Sequence, residues 1–299
     1  MAQTALLHNR LPIEYGLPRQ FYRACFANSR KMNRKKIYII KIGGNIIDDE
    51  EKLTGFLKSF AAQSVDNNGG LVLVHGGGKL ATKLAEQMGI KQQMVDGRRI
   101  TDADTLKIVT MVYAGYINKN IVAQLQANGS NAIGLSGADG NAILAHKRIA
   151  KGDVDYGFAG DVDNVNVDLL KTLLEQQMTI VLAPITHDKK GQLLNTNADT
   201  IAQETAKALS AVYDVSLIYS FEKSGVLLDA NDDSTVIKTI NRSSFSELKA
   251  QQKIFAGMIP KLDNAFAALD SGVKKVIIGK AELLKQLING ESGTTISDE

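Results

Sequence analysis

Apolar residues fall into short blocks along the chain, and the blocks alternate between two rhythms. Ile37-Tyr-Ile-Ile-Lys-Ile42 is an almost unbroken apolar, β-branched run closed by Gly43-Gly44, the pattern of a strand buried on both faces. Over 49–65, Leu53, Phe56, Leu57 and Phe60 recur at helical spacing. Gly69-Gly70 breaks that pattern and Leu71-Val-Leu-Val74 gives a second strand, after which Gly76-Gly77-Gly78 turns into a helix over 79–87. Strand, helix, strand, helix predicts a parallel sheet with helices on both faces. A long helix is expected over 102–127. Residues 130–166, rich in Gly and Asp with short apolar runs, read as a β-hairpin region. The alternation resumes with a helix over 167–176, a strand over 179–183, a loop with a short strand, a helix over 198–209 and a strand over 215–219. A hairpin, helices over 243–250 and 259–270, a strand over 275–278 and a last helix complete the body. No repeat of 20–50 residues and no Pro/Ser-rich linker interrupts it, so it reads as one α/β unit with two lobes.

Composition adds little until it is divided. The 299 residues are 44% hydrophobic and 22% charged, close to the globular average, which excludes a disordered or fibrous chain. The net charge is +3, and a basic balance invites a nucleic-acid reading. Residues 1–36, however, hold eight basic residues and one acid, leaving 27 basic and 31 acidic residues in the other 263. The body is mildly acidic and shows no basic cluster for a phosphate backbone, so no nucleic-acid partner is expected. The leader (1–35) reads as a disordered or adaptor-binding arm, a transit peptide poor in hydroxyls, or sequence upstream of a true start at Met32. Cys25 is the only cysteine, so no intrachain disulfide forms and a reducing, cytoplasmic setting is expected. No apolar run reaches the length of a membrane span, so no membrane partner is expected either.

Five motifs carry candidate chemistry. Lys41-Ile-Gly-Gly44 ends the first strand, where open α/β sheets bind ligands and where glycines let backbone N–H groups approach an anion. A strand-ending turn beside an exposed lysine is the plain alternative, but a lysine inside so apolar a run is unusual. His75-Gly-Gly-Gly78 again joins strand to helix, a place that favours anions. It has neither the P-loop nor the G-x-G-x-x-G spacing, and His75 reads as a structural residue rather than a base. Asp96-Gly-Arg-Arg99 offers arginines for a carboxylate, or two surface arginines on a loop. In Asn195-Thr-Asn-Ala-Asp199, the polar side chains either cap a helix or orient a substrate and a lysine. Gly257-Met-Ile-Pro-Lys261 puts Lys261 in the first turn of a helix, unfavourable unless an anion is near. No Cys/His cluster and no nucleophile elbow appears, so no protein-bound metal is expected.

In this order and at this spacing, with Gly134-Leu-Ser-Gly137 between them, the motifs resemble the amino-acid-kinase family over about residues 36–297, and within it the branch that phosphorylates N-acetylglutamate. The resemblance implies an open, mostly parallel eight-stranded sheet sandwiched between helix layers. An N-lobe (about 36–195) would hold the acyl-amino acid and a C-lobe (about 196–297) ATP. It implies that Lys41 and Lys261 stabilise the transferring phosphoryl group and that Asp199 positions both. Gly43, Gly44 and Gly77 would supply phosphate contacts, and Gly77, Gly78, Arg99 and Asn195 substrate contacts. Ser224, Gly225, Val226 and Leu227 would form the nucleotide edge, with ATP and Mg²⁺ as cofactors. Two departures stand out. The nucleotide hairpin reads Phe221-Glu-Lys-Ser-Gly225 where the family has Asp-Val-Ser-Gly, so either Glu222 takes the place of the ribose-binding aspartate or the nucleotide contacts differ, and this hairpin resembles a type in which the acyl group is succinyl. The tail Asn289–Ile296 is similar to that of arginine-insensitive, dimeric members, so a homodimer is expected. The resemblance implies γ-carboxylate phosphorylation of N-acetyl-L-glutamate in arginine biosynthesis. N-succinylglutamate, another amino-acid or carbamate kinase, and a non-catalytic effector-binding protein are the alternatives.

Overall fold

In the computed structural model, residues 34–298 are described except 64, 66–68, 96–97, 151, 153, 230 and 255–257. The chain divides into Met1–Arg34 and Lys35–Glu299. The expectations about Cys25, Met32 and the leader lie outside the described residues, and every element below belongs to the second unit.

The apolar runs form the strands they predict. β1 (Lys36–Ile42) and β2 (Gly70–His75) lie at the centre of an eight-stranded sheet with β5 (Ala132–Leu135), β8 (Thr179–Leu182), β11 (Asp214–Phe221), β12 (Thr239–Ile240), β13 (Lys275–Lys280) and β14 (Thr294–Ile296). The order is β12-β14-β13-β11-β1-β2-β8-β5, and only the β13–β14 pair is antiparallel. Side chains alternate across the sheet with period two. Ile37, Ile39, Val72, Val74 and Leu217 enter one core, and Ile40, Ile42, Leu71, Leu73 and Ile218 the other. Both faces are therefore apolar, which explains why the central strands read as continuous runs.

Among the described residues ten α-helices flank the sheet: α1 (Gly44–Ile47), α2 (Glu50–Ala61), α3 (Gly78–Gln87), α4 (Ala103–Val109), α5 (Asn118–Ala127), α6 (Val167–Glu175), α7 (Ala198–Ser210), α8 (Arg242–Ala250), α9 (Ile259–Asp270) and α10 (Leu284–Asn289). The residues α2 buries are the predicted Leu53, Phe56, Leu57 and Phe60, and Asp49 caps it by accepting from the Lys52 N–H. Burying Leu57 and Phe60 outright contributes about 1.5–3 kcal/mol each. α3 and α5 pack on that face with α2, while α6, α7 and α9 cover the other.

Four expectations are corrected in detail. The helix predicted over 49–65 ends at Ala61. The helix predicted over 102–127 runs from Ala103 to Ala127, but its middle, Thr110–Ile117, is π-helical, a wider turn that the 3.6-residue pattern does not reveal. Residues 130–166 are only partly a hairpin. β5 joins the main sheet, whereas β6 (Ile143–Lys147) and β7 (Ala159–Val165) pair antiparallel and close a ring with β9 (Ile185–His187) and β10 (Leu193–Thr196). After β11 the expected hairpin is short: an antiparallel bridge joins Leu227 to Val236, with the Leu228 N–H donating to the Thr235 carbonyl and the Ile237 N–H to the Val226 carbonyl. The antiparallel pair β3 (Gln93–Val95) and β4 (Arg98–Ile100) was hidden in what reads as a loop, although it flanks Asp96-Gly97, a two-residue hairpin signal.

Candidate active site

The parallel register brings the motifs to one end of the sheet. β1 lies between β11 and β2, so its carboxyl end opens onto the switch point of an α/β sheet. Lys41 is level with Tyr219 on one side and Val74 on the other. It shares the sheet face of Ile37 and Ile39, the face that α7 covers. The first turn of α7 carries Asp199, and Lys41 Nζ lies 2.8 Å from Asp199 Oδ1. The two readings of Asn195–Asp199 divide between residues. Asn197 caps the helix by accepting from the N–H groups of Asp199 and Thr200, which leaves Asn195 and Asp199 to face the site.

Lys261 approaches from α9, whose second residue is Pro260. Burial lowers its pKa, Asp199 raises it and Lys41 lowers it further, with a net lowering. Lys41, Asp199, Lys261, Tyr219 and Asn264 line a small cavity of about 40 Å³. Burial, reinforced by the Asp199 and Glu204 charges, pushes the Tyr219 phenol up, so its hydroxyl stays protonated.

Two larger cavities adjoin this cluster. One, of about 240 Å³, is lined by Lys41, Gly44, Gly77, Gly78, Arg99, Asn195 and Asp199, together with Met94, Arg98, Tyr113 and Arg148. Arg99 is 8% exposed, not a surface arginine. Its Nη2 donates to the Gly78 carbonyl and to Thr82 Oγ1, both at 2.9 Å, and its Nη1 donates to Gln92. Asn195 Nδ2 donates to Thr101 Oγ1 at 3.0 Å. Gly77 has φ +143°, and a Cβ there would fall 2.2 Å from Ile117 Cδ1 and 3.2 Å from Tyr113, so the π-helical segment presses directly on this glycine.

The other cavity, of about 540 Å³, is lined by Lys41, Gly43, Gly44, Gly225, Val226, Leu227 and Lys261, with Glu222, Lys223, Ile46, Lys79 and Met258. Its outer wall is anchored by β14, where Thr294 Oγ1 accepts from the Val226 N–H at 2.8 Å. Ser224 is the exception among the expected residues. Its hydroxyl donates to Asp233 Oδ2 at 3.0 Å instead of lining the cavity. Lys280 Nζ lies 2.5 Å from the same Asp233 oxygen, so the turn is tied back to the end of β13. Lys79, exposed in the first turn of α3, lines this cavity as well. Gly257 lies outside the described residues.

Arg98 stood within the Asp96–Arg99 motif, whereas no motif pointed to Arg148 on the same wall or to Tyr219 beside the lysines. Asn264 was within reach, being three residues after Lys261 on the same helix face. Taken together, two cations and one carboxylate stand where two cavities meet, with glycine backbone around them. That arrangement stabilises anionic charge and passes it between two bound molecules; it is not built for nucleophilic catalysis by the protein. No group of three His, Cys, Asp or Glu suited to a metal occurs among the described residues.

Comparison with known proteins agrees with this architecture. The chain is 57% identical over 255 residues to an acetylglutamate kinase of Cytophaga hutchinsonii, covering 85% of this chain and 95% of that protein. It is 56% identical over 263 residues to an acetylglutamate kinase of Phocaeicola vulgatus, covering 88% and 99%. A crystal structure of a Streptococcus mutans protein matches with a TM-score of 0.69 at 30% identity, covering 88% of this chain and 99% of that one. Residues 36–280, which span both cavities and the lysines between them, match the amino acid kinase family, and the chain belongs to that family.

Proposed function

We propose that this chain is an ATP-dependent kinase that phosphorylates the γ-carboxylate of N-acetyl-L-glutamate to give N-acetylglutamyl 5-phosphate, a step of arginine biosynthesis. The observation that carries the proposal is the Lys41–Asp199–Lys261 cluster at the junction of two cavities, in a chain 57% identical to a relative named acetylglutamate kinase. The N-lobe cavity takes the acylglutamate. Arg99 and Asn195 receive its α-carboxylate, Arg99 with a fork already fixed by Gln92, Gly78 and Thr82. The C-lobe cavity takes ATP, its base against Val226, Leu227 and Met258 and its phosphates toward Gly43 and Gly44.

Transfer needs two anions in line and charge stabilised on the oxygens between them. Lys41 serves the transferring group and Lys261 the leaving side. Asp199, between the two, holds both ammonium groups apart yet close. Gly44 and Gly77 offer N–H groups on the acceptor side. Bound with the nucleotide, Mg²⁺ would neutralise charge on its phosphates. The enzyme works as a homodimer. Exposed Met111 and Tyr116 on the π-helical segment, with Leu80 and Leu84 of α3, give an apolar helix face for a second copy.

A hydroxamate-trapping assay with ATP, Mg²⁺ and N-acetylglutamate tests the reading; product with neither the acetyl nor the succinyl substrate would refute it. One observation favours the succinyl reading as a second: Arg98 and Arg148 share the cavity with Arg99, though Arg148 is also paired with Asp161. A higher kcat/KM for N-succinylglutamate would select it.

A further inference from the structure

His75 ends β2 immediately before the three-glycine turn and is fully buried. Its Nδ1 lies 2.8 Å from the Gly76 carbonyl oxygen, which can only accept, so Nδ1 carries the ring proton. Its Nε2 lies 3.2 Å from Asn118 Nδ2 and accepts. The Asn118 amide cannot be turned over. Nδ2 also donates to the Val181 carbonyl at 3.1 Å, and Oδ1 accepts from Lys119 Nζ at 3.1 Å. Lys119 in turn donates to the Gly134 carbonyl at 2.8 Å. Gly134 makes room for this network, since a Cβ there would fall 2.0 Å from Asn118 Oδ1.

A trans peptide is planar, so its C=O and N–H point in opposite directions. Drawing the Gly76 carbonyl inward to the His75 ring therefore turns the Gly77 N–H outward. Gly77 lines the same cavity as Lys41 and Asp199. Its neighbours Tyr113 and Ile117 close off the space into which it would otherwise shift.

We propose that His75 and Asn118 are positioning residues: the Asn118 amide holds His75 in its Nδ1–H form, and that ring aims the Gly77 N–H at an oxygen of the transferring phosphoryl group. The inference rests on the kinase reading above and deepens it. His75 moves no proton in the reaction. Burial holds its pKa down to about 4, so the ring is neutral where the enzyme works, and among the described residues Lys119 is the charged neighbour acting on it. The other tautomer would set a nitrogen lone pair against the Gly76 carbonyl and push the peptide round.

Ring ¹⁵N NMR of the full chain tests this directly, because the sequence has only four histidines. The expected result is a neutral Nδ1–H ring for His75 from about pH 5.5 to 9; an Nε2–H ring, or titration within that range, would overturn the inference. Asn118→Asp, equal in size, accepts where Asn118 donates. It should move the ring proton to Nε2 at alkaline pH and give a kcat that falls as pH rises, recovering toward acid pH where both ring nitrogens are protonated. His75→Leu should lower kcat about 10–10²-fold at every pH while the KM for ATP changes less than about twofold. A wild-type pH profile in Asn118→Asp, or a wild-type kcat in His75→Leu, would overturn the assignment. The NMR measurement needs no activity, so it separates failure of this inference from failure of the kinase reading.

Discussion

The two large cavities share Lys41 and Gly44 and differ in how their walls are held. The smaller is framed by buried and half-buried hydrogen bonds between distant segments: Arg99 to α3, Asn195 to Thr101, His75 to Asn118. The larger has one flank made of a turn anchored by the Val226 N–H donating to Thr294 Oγ1 on β14 and by the exposed Lys280–Asp233 pair. Buried donors fixed before binding discriminate a small polar ligand sharply, because a wrong ligand leaves them unpaired. A wall of glycine, Val226, Leu227 and Met258 receives a larger, flatter group with less demand on each contact.

The contrast can be broken first at what the cavities share. Lys41→Met should lower kcat by about 10²–10³-fold in the hydroxamate assay, since one electrostatic donor to the transferring group is lost. Both KM values should move far less. Next, Arg99→Lys should raise the KM for acylglutamate about 10–100-fold, because a point charge cannot make the three bonds of the fork. The KM for ATP should stay within about twofold; if both rise together, the two walls are not independent. Asp233→Ala releases both Ser224 and Lys280. It should raise the KM for ATP about two- to five-fold, the small effect of an exposed pair, and leave acylglutamate kinetics alone.

The smallest effect concerns Lys261. Its pKa is lowered below the ordinary 10.5, so over the interval between the two values the unfolded chain binds more protons than the folded one, and its contribution to stability rises with pH. Below that interval the partly desolvated charge is a small liability. Lys261→Met should therefore raise Tm at pH 7 slightly, as the side chain is only partly desolvated, while activity is lost. Scanning calorimetry at pH 7 and 10 checks the sign: the gain should shrink at the higher pH.

What was legible in the sequence follows the same division. β1, β2, β8 and β11 show as apolar runs because they are buried on both faces. Gly77 was legible as part of a glycine turn, but Tyr113 and Ile117 pressing on it were not, since the contact spans some forty residues and depends on a π-helical turn. β14 was missed because three residues after a Gly-rich stretch carry too little pattern, yet Thr294 on it anchors the wall of a cavity. Ser224 matched its expected motif and turned away because Asp233 offers it a charged acceptor. Motifs identify residue types at strand ends; which way a loop side chain turns is decided by partners far along the chain.

The shape of the sheet has a consequence for crowding. Its borders are β12, only two residues long, and β5, four residues long. A border that short offers almost no row of open N–H and C=O groups on which another chain could add a strand. Strand addition at either border of this sheet is thereby disfavoured, and with it fibre growth by edge-to-edge pairing.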